Sequence, residues 1–437
     1  MTRVGVIDWL TGIADRGREL LDFPLSQGSD RERTLLGLCH DLASRSGEAT
    51  GTALAREVAA QWHLLPKGDR PAFFRALLDE FSVDAKALEA AIARWREAPD
   101  EAALTALHQA AEPARQDLLR RINMAPDGTE AVVDMRLALL GLLKDHPDLA
   151  PLDDDLRHLL SSWFNRGFLE LRRIDWRTSA SVLEKLIRYE AVHEIDGWDD
   201  LRRRLAADRR CFAFFHPALE DEPLIFVEIA LVKGLASSVQ ALLEPGEDPD
   251  APKTADTAIF YSISNCQEGL RGISLGNFLI KQVVEELRRE MPNLKTFSTL
   301  SPIPGFVGWL RSRRKGAEAE KAKALLAVLD QDGWQEDTAL AESIREPMTR
   351  LCAAYLYHGR RGKAPLDPTA RFHLGNGATL ERVNWLGDTS AKGLRQSGGM
   401  MVNYLYRLSD IERNHEALMA EGKVAASRAV LSLAGKG

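Results

Sequence analysis

The spacing of apolar residues changes once along the chain, at about residue 160. Before that point, apolar side chains recur every three or four positions, which is the period of one face of an α-helix. The pattern is clearest in segments 69–81, 128–149 and 153–169, and no run of alternating apolar and polar residues interrupts it. We therefore predict an all-α domain over residues 1–160, with a role in scaffolding or in contacts between subunits.

Beyond residue 160, short apolar runs appear that are rich in β-branched and aromatic residues. Three of these runs are bounded by turn residues and predict strands: 209–219, 222–232 and 257–265. The sequence EDEP at 220–223 predicts a hairpin between the first two, and segment 274–294 predicts an amphipathic helix. Strands that alternate with helices indicate a mixed α/β domain.

The last third of the chain extends this alternation. Residues 311–329 are charged and then helical in pattern. Segments 370–376 and 379–386 predict two strands, because the Asn-Gly pair between them favours a tight turn. The apolar segment 400–408 fits either a strand or a helix. We therefore assign residues 161–437 to a second domain and the whole chain to the α+β class.

Composition and charge narrow the possible functions. The chain has 437 residues and a net charge of −7, which disfavours a broad nucleic-acid-binding surface. It contains no window of about 18 uncharged apolar residues, and its first residues lack the apolar core of a signal peptide. We therefore expect no binding to nucleic acid and no membrane-spanning segment.

The cysteines and histidines follow no disulfide or metal pattern. The four cysteines lie far apart without a CxxC pair, and the ten histidines are scattered without HExxH spacing. We expect a protein of the reducing cytoplasm, with no disulfide framework and no metal site.

The segment CQEGLRGISLGNF at 266–278 lies between a predicted strand and a predicted helix. A glycine-containing loop in that order presents free backbone N–H groups and the positive end of a helix dipole, which together bind phosphate. Its glycines, Gly269, Gly272 and Gly276, do not follow GxGxxG spacing. An ordinary strand-to-helix connection therefore stays open as the alternative.

Three polar residues in later segments are candidates for chemistry. Ser301 in TLSPIPGF precedes Pro302, so its backbone is restricted and its hydroxyl is aimed. His373 in FHLGNG lies beside the predicted turn, and a neutral imidazole can exchange a proton near neutral pH. Tyr406 lies in the apolar segment MMVNYLYRL. On local sequence alone, each of the three also fits a structural role.

Taken together, these segments resemble the malonyl-CoA decarboxylase family. The likeness covers most of residues 160–437 and is carried by long blocks in one order: FFHPALEDEPLIFVEIAL, AIFYSISNCQEGLRGISLGNFLIKQVVEELRREMPNLKTFSTLSPIPGFVGWL, DPTARFHLGNGATLERVNWLGDTS and GMMVNYLY. Residues 1–160 resemble the family's helical N-terminal domain. The resemblance implies a GNAT-like (acetyltransferase-fold) mixed α/β catalytic domain at 161–437, and a helical domain that forms homo-oligomers, either dimers or tetramers.

The resemblance also implies a reaction and its residues. The family converts malonyl-CoA to acetyl-CoA and CO₂, with the serine before PIPGF, here Ser301, and the FHL histidine, here His373, as catalytic residues. Its CoA-binding loop corresponds to Arg271, Gly272, Ile273, Ser274, Leu275, Gly276 and Asn277. This loop is similar to the pyrophosphate motif R/Q-x-x-G-x-G/A, with Ser274 in place of the middle glycine. Ser262 and Tyr406 are further candidates for positioning.

The chemistry of the implied reaction requires no cofactor. Loss of CO₂ from a malonyl thioester leaves an enolate, and the thioester carbonyl itself accepts the electron pair. We expect His373 to protonate the enolate carbon, and Ser301 to hydrogen-bond the departing carboxylate or the acyl oxygen and to relay a proton with His373. A covalent acyl-serine is disfavoured, because the reaction transfers no acyl group.

Two other functions stay open at this point. A GNAT-type acyl-CoA N-acyltransferase has the same fold, and a fold does not fix a reaction. A non-catalytic acyl-CoA-binding protein or helical assembly scaffold is the second alternative. The presence of both Ser301 and His373 argues against it.

Overall fold

A computed structural model describes residues 34–44, 47–273, 279–313 and 317–435. These residues form two compact units. The first contains the described residues of 1–169, 216–220 and 267–275, and the second contains the rest.

The first unit is helical, as the apolar spacing predicts. Its helices are α1 Leu35–Ser44, α2 Glu48–Leu64, α3 Arg70–Glu80, α4 Ala85–Glu97, α5 Glu101–Ala111, α6 Ala114–Asn123, α7 Gly128–Leu142 and α8 Ala150–Trp163, with 3₁₀ turns at Pro147–Leu149, Arg166–Phe168 and Glu268–Leu270. Their apolar faces meet in a core in which the Trp62 ring packs against Phe73 and Phe74. The three predicted helical segments are confirmed, although α7 ends at Leu142 rather than at 149 and α8 ends at Trp163 rather than at 169.

The second unit is built on a mixed sheet with helices around it. The strands are β1 Glu170–Ile174, β2 Arg209–Phe215, β3 Pro223–Val232, β4 Thr257–Asn265, β5 Thr296–Thr299, β6 Ser301–Pro302, β7 Arg360–Arg361, β8 Ala364–Pro365, β9 Thr379–Asn384 and β10 Met401–Leu405. The helices are α9 Ala180–Tyr189, α10 Gly197–Arg204, α11 Gln240–Leu243, α12 Ala251–Thr254, α13 Leu279–Glu290, α14 Phe306–Ser312, α15 Ala317–Leu329, α16 Thr338–His358, α17 Pro368–Gly375, α18 Ala391–Ser397, α19 Ile411–Glu421 and α20 Arg428–Ala434.

The large sheet has the order β1-β2-β3-β4-β5-β10-β6, and β9 also pairs with β10. Strands β1 to β4 are antiparallel, whereas β4 and β5 are parallel. The hairpin predicted at 220–223 is confirmed, since β2 and β3 pair on either side of it. The predicted α+β fold class is also confirmed: a helical region is followed by a mixed α/β domain.

The parallel pairing of β4 and β5 determines where Ser301 lies. Phe260 of β4 pairs with Thr299 of β5, and the Leu300 backbone N–H donates to the Phe260 carbonyl at 2.9 Å. The chain then leaves β4, and Ser301 in β6 pairs with Val402 of β10. Ser301 therefore lies where β5 ends and the polypeptide turns into the Pro302–Pro304 segment.

One predicted strand is wrong. Residues 370–376 form most of α17 rather than a strand, so His373 lies on a short helix. The Asn376-Gly377 pair ends this helix instead of joining two strands, with Gly377 at φ 80°. The strand predicted at 379–386 is confirmed by β9, and the segment 400–408, which fits either a strand or a helix, contains strand β10.

Candidate functional site

Ser301 and His373 lie in hydrogen-bond contact, although 71 residues separate them in the sequence. Ser301 Oγ is 3.0 Å from His373 Nε2, and His373 Nδ1 is 2.9 Å from the Tyr406 hydroxyl. Ser301 also donates its hydroxyl proton to Thr299 Oγ1 at 2.8 Å. The four side chains form one continuous hydrogen-bonded chain.

The direction of this chain follows from the single proton of the serine hydroxyl. Because Ser301 donates that proton to Thr299, its oxygen accepts the proton of His373 Nε2. A neutral imidazole carries one N–H, so Nδ1 is then the acceptor for the Tyr406 hydroxyl. The chain therefore runs Tyr406 to His373 to Ser301 to Thr299, each donating to the next.

Burial keeps the imidazole neutral. His373 is 3% exposed, and desolvation lowers its pKa to about 3. Its ring stacks on Tyr404 with centroids 4.7 Å apart, and desolvation also raises the pKa of the Tyr406 hydroxyl well above its usual value. Near neutral pH the pair therefore consists of a neutral histidine and a protonated tyrosine.

Helix α17 holds His373 through a side-chain cap at its start. Asp367, which is buried, accepts from the backbone N–H groups of Thr369 and Ala370 at 2.9 and 3.0 Å, and Pro368 occupies the first turn. The same carboxylate accepts from the Gly305 N–H at 3.2 Å. Asp367 thus ties the helix that carries His373 to the PIPGF segment that follows Ser301.

Ser301 and His373 lie in the wall of a cavity of about 250 Å³. The remaining wall comes from the loop after α9, from β4, from the Pro302 turn and from α17: Val192, Phe260, Tyr261, Ile263, Asn265, Pro302, Pro368, Thr369 and Phe372. The lining is mostly apolar, so the serine and the histidine are among its few polar groups.

The structure separates Ser262 from this pair. Its hydroxyl contacts both Glu190 carboxylate oxygens at 2.8 Å, and it is absent from the cavity wall. Glu190 in turn accepts from the backbone N–H groups of Val192 and His193. Ser262 therefore helps to hold the segment that supplies Val192 to the cavity.

The described part of the predicted CoA-binding loop belongs to the first unit. Arg136 of α7 donates to the backbone carbonyls of Gly269 and Arg271 at 2.6 and 2.9 Å, and it also pairs with Asp153 at 2.8 Å. A Cβ at Gly269 would lie 2.4 Å from the Val133 carbonyl oxygen, so only glycine permits this approach. Buried polar contacts therefore hold this loop against α7.

The other predicted loop residues divide into two groups. Gly272, at φ 79°, is exposed, and Ile273 is buried. Ser274, Leu275, Gly276 and Asn277 lie outside the described residues.

The sequence analysis missed two residues of the site. Thr299, which accepts from Ser301, lies two residues before it, and a hydroxyl so close to a candidate serine was an available signal. Asp367 was also readable, because Asp-Pro before a short segment is a helix-start pattern.

Three further observations concern the cysteines, the possible metal ligands and the helix lengths of the described chain. The four cysteines are buried and unpaired. Within the described ranges, no group of three His, Cys, Asp or Glu side chains has metal-binding geometry. Likewise, no helix in this part of the chain is long and apolar enough to span a bilayer.

The fold and the site together define a class. A mixed sheet follows a helical unit, and a buried serine, histidine and tyrosine meet at a small, mostly apolar cavity. This combination defines an α+β protein in which a helical unit is joined to a mixed α/β domain with a candidate active site.

Comparison with known proteins identifies the family within this class. The model of the malonyl-CoA decarboxylase C-terminal domain matches residues 167–436, and that of the N-terminal domain matches residues 81–164. A mitochondrial malonyl-CoA decarboxylase of Anser anser anser is 39% identical over 349 residues, 73% of this chain and 69% of that protein. The chain therefore belongs to the malonyl-CoA decarboxylase family, a family of carboxy-lyases.

Solved structures agree with this assignment. The crystal structure of malonyl-CoA decarboxylase from Rhodopseudomonas palustris matches with a TM-score of 0.86 and 52% identity, over 91% of this chain and 98% of that one. The enzyme from Agrobacterium vitis matches with the same TM-score and identity, over 92% of this chain and 100% of that one.

Proposed function

We propose that this chain converts malonyl-CoA to acetyl-CoA and CO₂, with Ser301 and His373 as its catalytic residues. The observation that carries the proposal is the hydrogen-bonded chain from Tyr406 through His373 to Ser301 at the cavity. This chain of hydrogen bonds supplies a proton donor at the cavity, where the enolate carbon has to be protonated.

The cavity favours loss of the carboxylate. A malonyl carboxylate within a mostly apolar wall loses hydration, whereas neutral CO₂ does not need it. As the C–C bond breaks, its electron pair moves into the thioester and forms an enolate. Ser301 lies in the cavity wall, and when its hydroxyl turns away from Thr299 it can hydrogen-bond the departing carboxylate or the acyl oxygen.

His373 then supplies the proton that ends the reaction. A thioester enolate is a stronger base at carbon than imidazolate, so a neutral imidazole is a sufficient acid. Because Nε2–H points to Ser301, the proton passes through the serine: the Ser301 hydroxyl turns from Thr299 to the enolate carbon, gives its proton there and takes the Nε2 proton. The Tyr406 hydroxyl on Nδ1 stabilises the negative charge that develops on the ring.

The CoA moiety is assigned to the predicted CoA-binding loop, whose described residues belong to the first unit. We assign the CoA diphosphate to residues 271–277, with the Arg271 guanidinium and backbone N–H groups as donors. The contacts of Arg136 to the carbonyls of Gly269 and Arg271 support this assignment, because they fix the start of the loop. Backbone donation does not depend on the side chain at position 274.

Two further assignments complete the proposal. The helical unit forms homo-oligomers, and the protein acts in the cytoplasm. Four free buried thiols support a reducing compartment. The curated animal relatives, from goose and rat, are named as mitochondrial proteins.

Product analysis with malonyl-CoA as the only substrate tests the reaction. We expect CO₂ and acetyl-CoA in equal amounts, and, in D₂O, one deuterium in each acetyl group, because the enolate carbon takes its proton from exchangeable donors. An N-acyltransferase needs an amine acceptor and would leave malonyl-CoA intact. Binding without turnover would support the non-catalytic alternative and refute the proposal.

A further inference from the structure

Thr299 is a hydrogen-bond partner of Ser301 and does not line the cavity. It is fully buried at the end of β5, and its Oγ1 accepts the Ser301 hydroxyl proton at 2.8 Å. The same oxygen accepts the backbone N–H of Tyr404 at 3.1 Å, and the Thr299 carbonyl accepts from Asn403 Nδ2 at 2.7 Å. Two bonds from β10 therefore hold this acceptor in place.

A serine and a histidine in contact can have either of two hydrogen-bond directions. If the serine donates to the imidazole, the ring is a general base and the serine oxygen becomes a nucleophile. If the imidazole donates to the serine, the ring is a proton source, and no base acts on the serine proton. The second direction suits decarboxylation, and the first suits acyl transfer.

We propose that Thr299 is a positioning residue that selects the second direction by accepting the Ser301 hydroxyl proton. This inference rests on the proposed roles of Ser301 and His373 and goes beyond them, because it assigns the choice between proton donor and nucleophile to a third residue. Ser301 has one proton, and while Thr299 accepts it, His373 Nε2 has to donate.

A valine at position 299 removes the acceptor and keeps the shape of the side chain. The Ser301 proton then has His373 Nε2 within reach, at 3.0 Å, and Nδ1–H turns to donate to the Tyr406 oxygen. The substitution Thr299→Val should therefore convert the pair into a nucleophile and its base. The control is Thr299→Ser, which keeps the hydroxyl.

A small alkyl fluorophosphonate reads this change directly. In the labelling step, Ser301 Oγ forms a bond to phosphorus, the P–F bond breaks, fluoride leaves, and the serine proton moves to His373 Nε2. We expect Thr299→Val to be labelled at Ser301 about 10²-fold faster than the parent, the lower range for a positioned general base. Thr299→Ser should react as slowly as the parent, and so should Thr299→Val combined with His373→Gln.

Equal labelling of the parent and Thr299→Val, including no labelling of either, would overturn the inference. So would a Thr299→Ser variant that reacts as fast as Thr299→Val. A merely structural role for Thr299 predicts loss of stability without any gain of serine reactivity.

The tautomer of His373 in the unaltered protein gives an independent test that needs no variant to fold. In ¹⁵N-histidine spectra, with His373→Gln used for assignment, we expect a protonated Nε2 and a bare Nδ1. A protonated Nδ1 would overturn the inference even if CO₂ is released. Both readouts are taken without substrate, so failure of the decarboxylation assay is a separate outcome.

Discussion

At the scale of single residues, burial determines the charge of His373. The imidazole is enclosed by α17, by the Tyr404 ring and by the Tyr406 hydroxyl, and it has no carboxylate partner among its hydrogen bonds. Desolvation therefore acts without compensation, and its pKa falls to about 3. As a consequence, the folded protein does not bind a proton at His373 under mildly acidic conditions, whereas the unfolded chain does.

This difference in the pKa of His373 between the folded and unfolded states predicts how the free energy of unfolding depends on pH. The unfolded chain binds a proton at His373 below about pH 6.5, whereas the folded chain binds it only near pH 3, so stability is lost as pH falls between these values. We expect a loss of about 1 kcal/mol per pH unit in this window from this residue. Urea unfolding between pH 7.5 and 5 measures the slope.

The matching control is His373→Gln, which should have a shallower slope than the parent protein. His193, whose pKa burial lowers to about 4, still contributes to the slope in both proteins. Identical slopes in the parent and His373→Gln would contradict a neutral buried imidazole at position 373.

Ser301 and His373 themselves could be chosen from the sequence, but their contact could not. The prolines around Ser301 indicated a rigid turn, and both residues lie in the sequence segments that resemble the malonyl-CoA decarboxylase family. No local pattern shows that Ser301 meets a histidine 72 positions later, because that contact depends on long-range packing of α17 against the segment that follows β5. Thr299 was missed because the bond that it accepts from Ser301 and the β10 backbone N–H that holds its oxygen in place depend on the folded structure, which sequence does not display.

At the scale of elements, α17 shows how a short helix can be misread. DPTARFHLG has Asp367 at the N-cap and Pro368 in the first turn, and Asn376-Gly377 follows its end. Eight residues give only two turns, too few for a clear apolar period, so the Asn-Gly pair suggested a hairpin. The capping signals were the better guide, because they report specific hydrogen bonds.

The cap gives a prediction for this element. Replacing Asp367 with alanine removes acceptors for three backbone N–H groups, and we expect a loss of about 2 kcal/mol and at least about a tenfold fall in kcat. The activity falls because His373 moves with the helix. Steady-state kinetics and thermal unfolding on the same samples measure both effects.

Asp337→Ala is the matched control. Asp337 is exposed and caps α16 through Ala339 and Leu340 in the same way, without a bond to the PIPGF segment. It should lose stability and keep kcat. An Asp367→Ala variant with full kcat, or an Asp337→Ala variant with an equal kcat loss, would refute the positioning role of this cap.

At the scale of the whole molecule, the division of the chain does not follow its order. The loop after β4 belongs to the helical unit by its contacts, although it lies more than 100 residues beyond α8 in the chain. Sequence reasoning placed the predicted boundary by periodicity, which detects helices but not long-range contacts. The carbonyl acceptors of Arg136 are backbone atoms, so residue identity could not reveal them.

This arrangement predicts that a residue of the helical unit affects the affinity for CoA. Arg136→Met removes two charged hydrogen bonds to the loop, and a loss of about 1.5 kcal/mol corresponds to about a tenfold rise in KM for malonyl-CoA. Because Ser301 and His373 are unchanged, kcat should stay at the parent value. Initial-rate kinetics separate the two constants.

Two variants calibrate this prediction. Arg271→Ala should also raise KM, since it removes the proposed diphosphate donor, and Arg136→Lys should fall between Arg136→Met and the parent. An unchanged KM in Arg136→Met with intact folding would place CoA elsewhere.

The rate of CO₂ release from malonyl-CoA by His373→Gln tests the role of this pair most directly. We predict a kcat lower by about 10² or more, the usual effect of a positioned proton donor, with a little-changed KM and a retained thermal transition. His358→Gln, which alters a histidine outside the cavity wall, should keep the parent rate. Parent-rate CO₂ release by a folded His373→Gln variant would contradict the assignment of His373 as the proton donor.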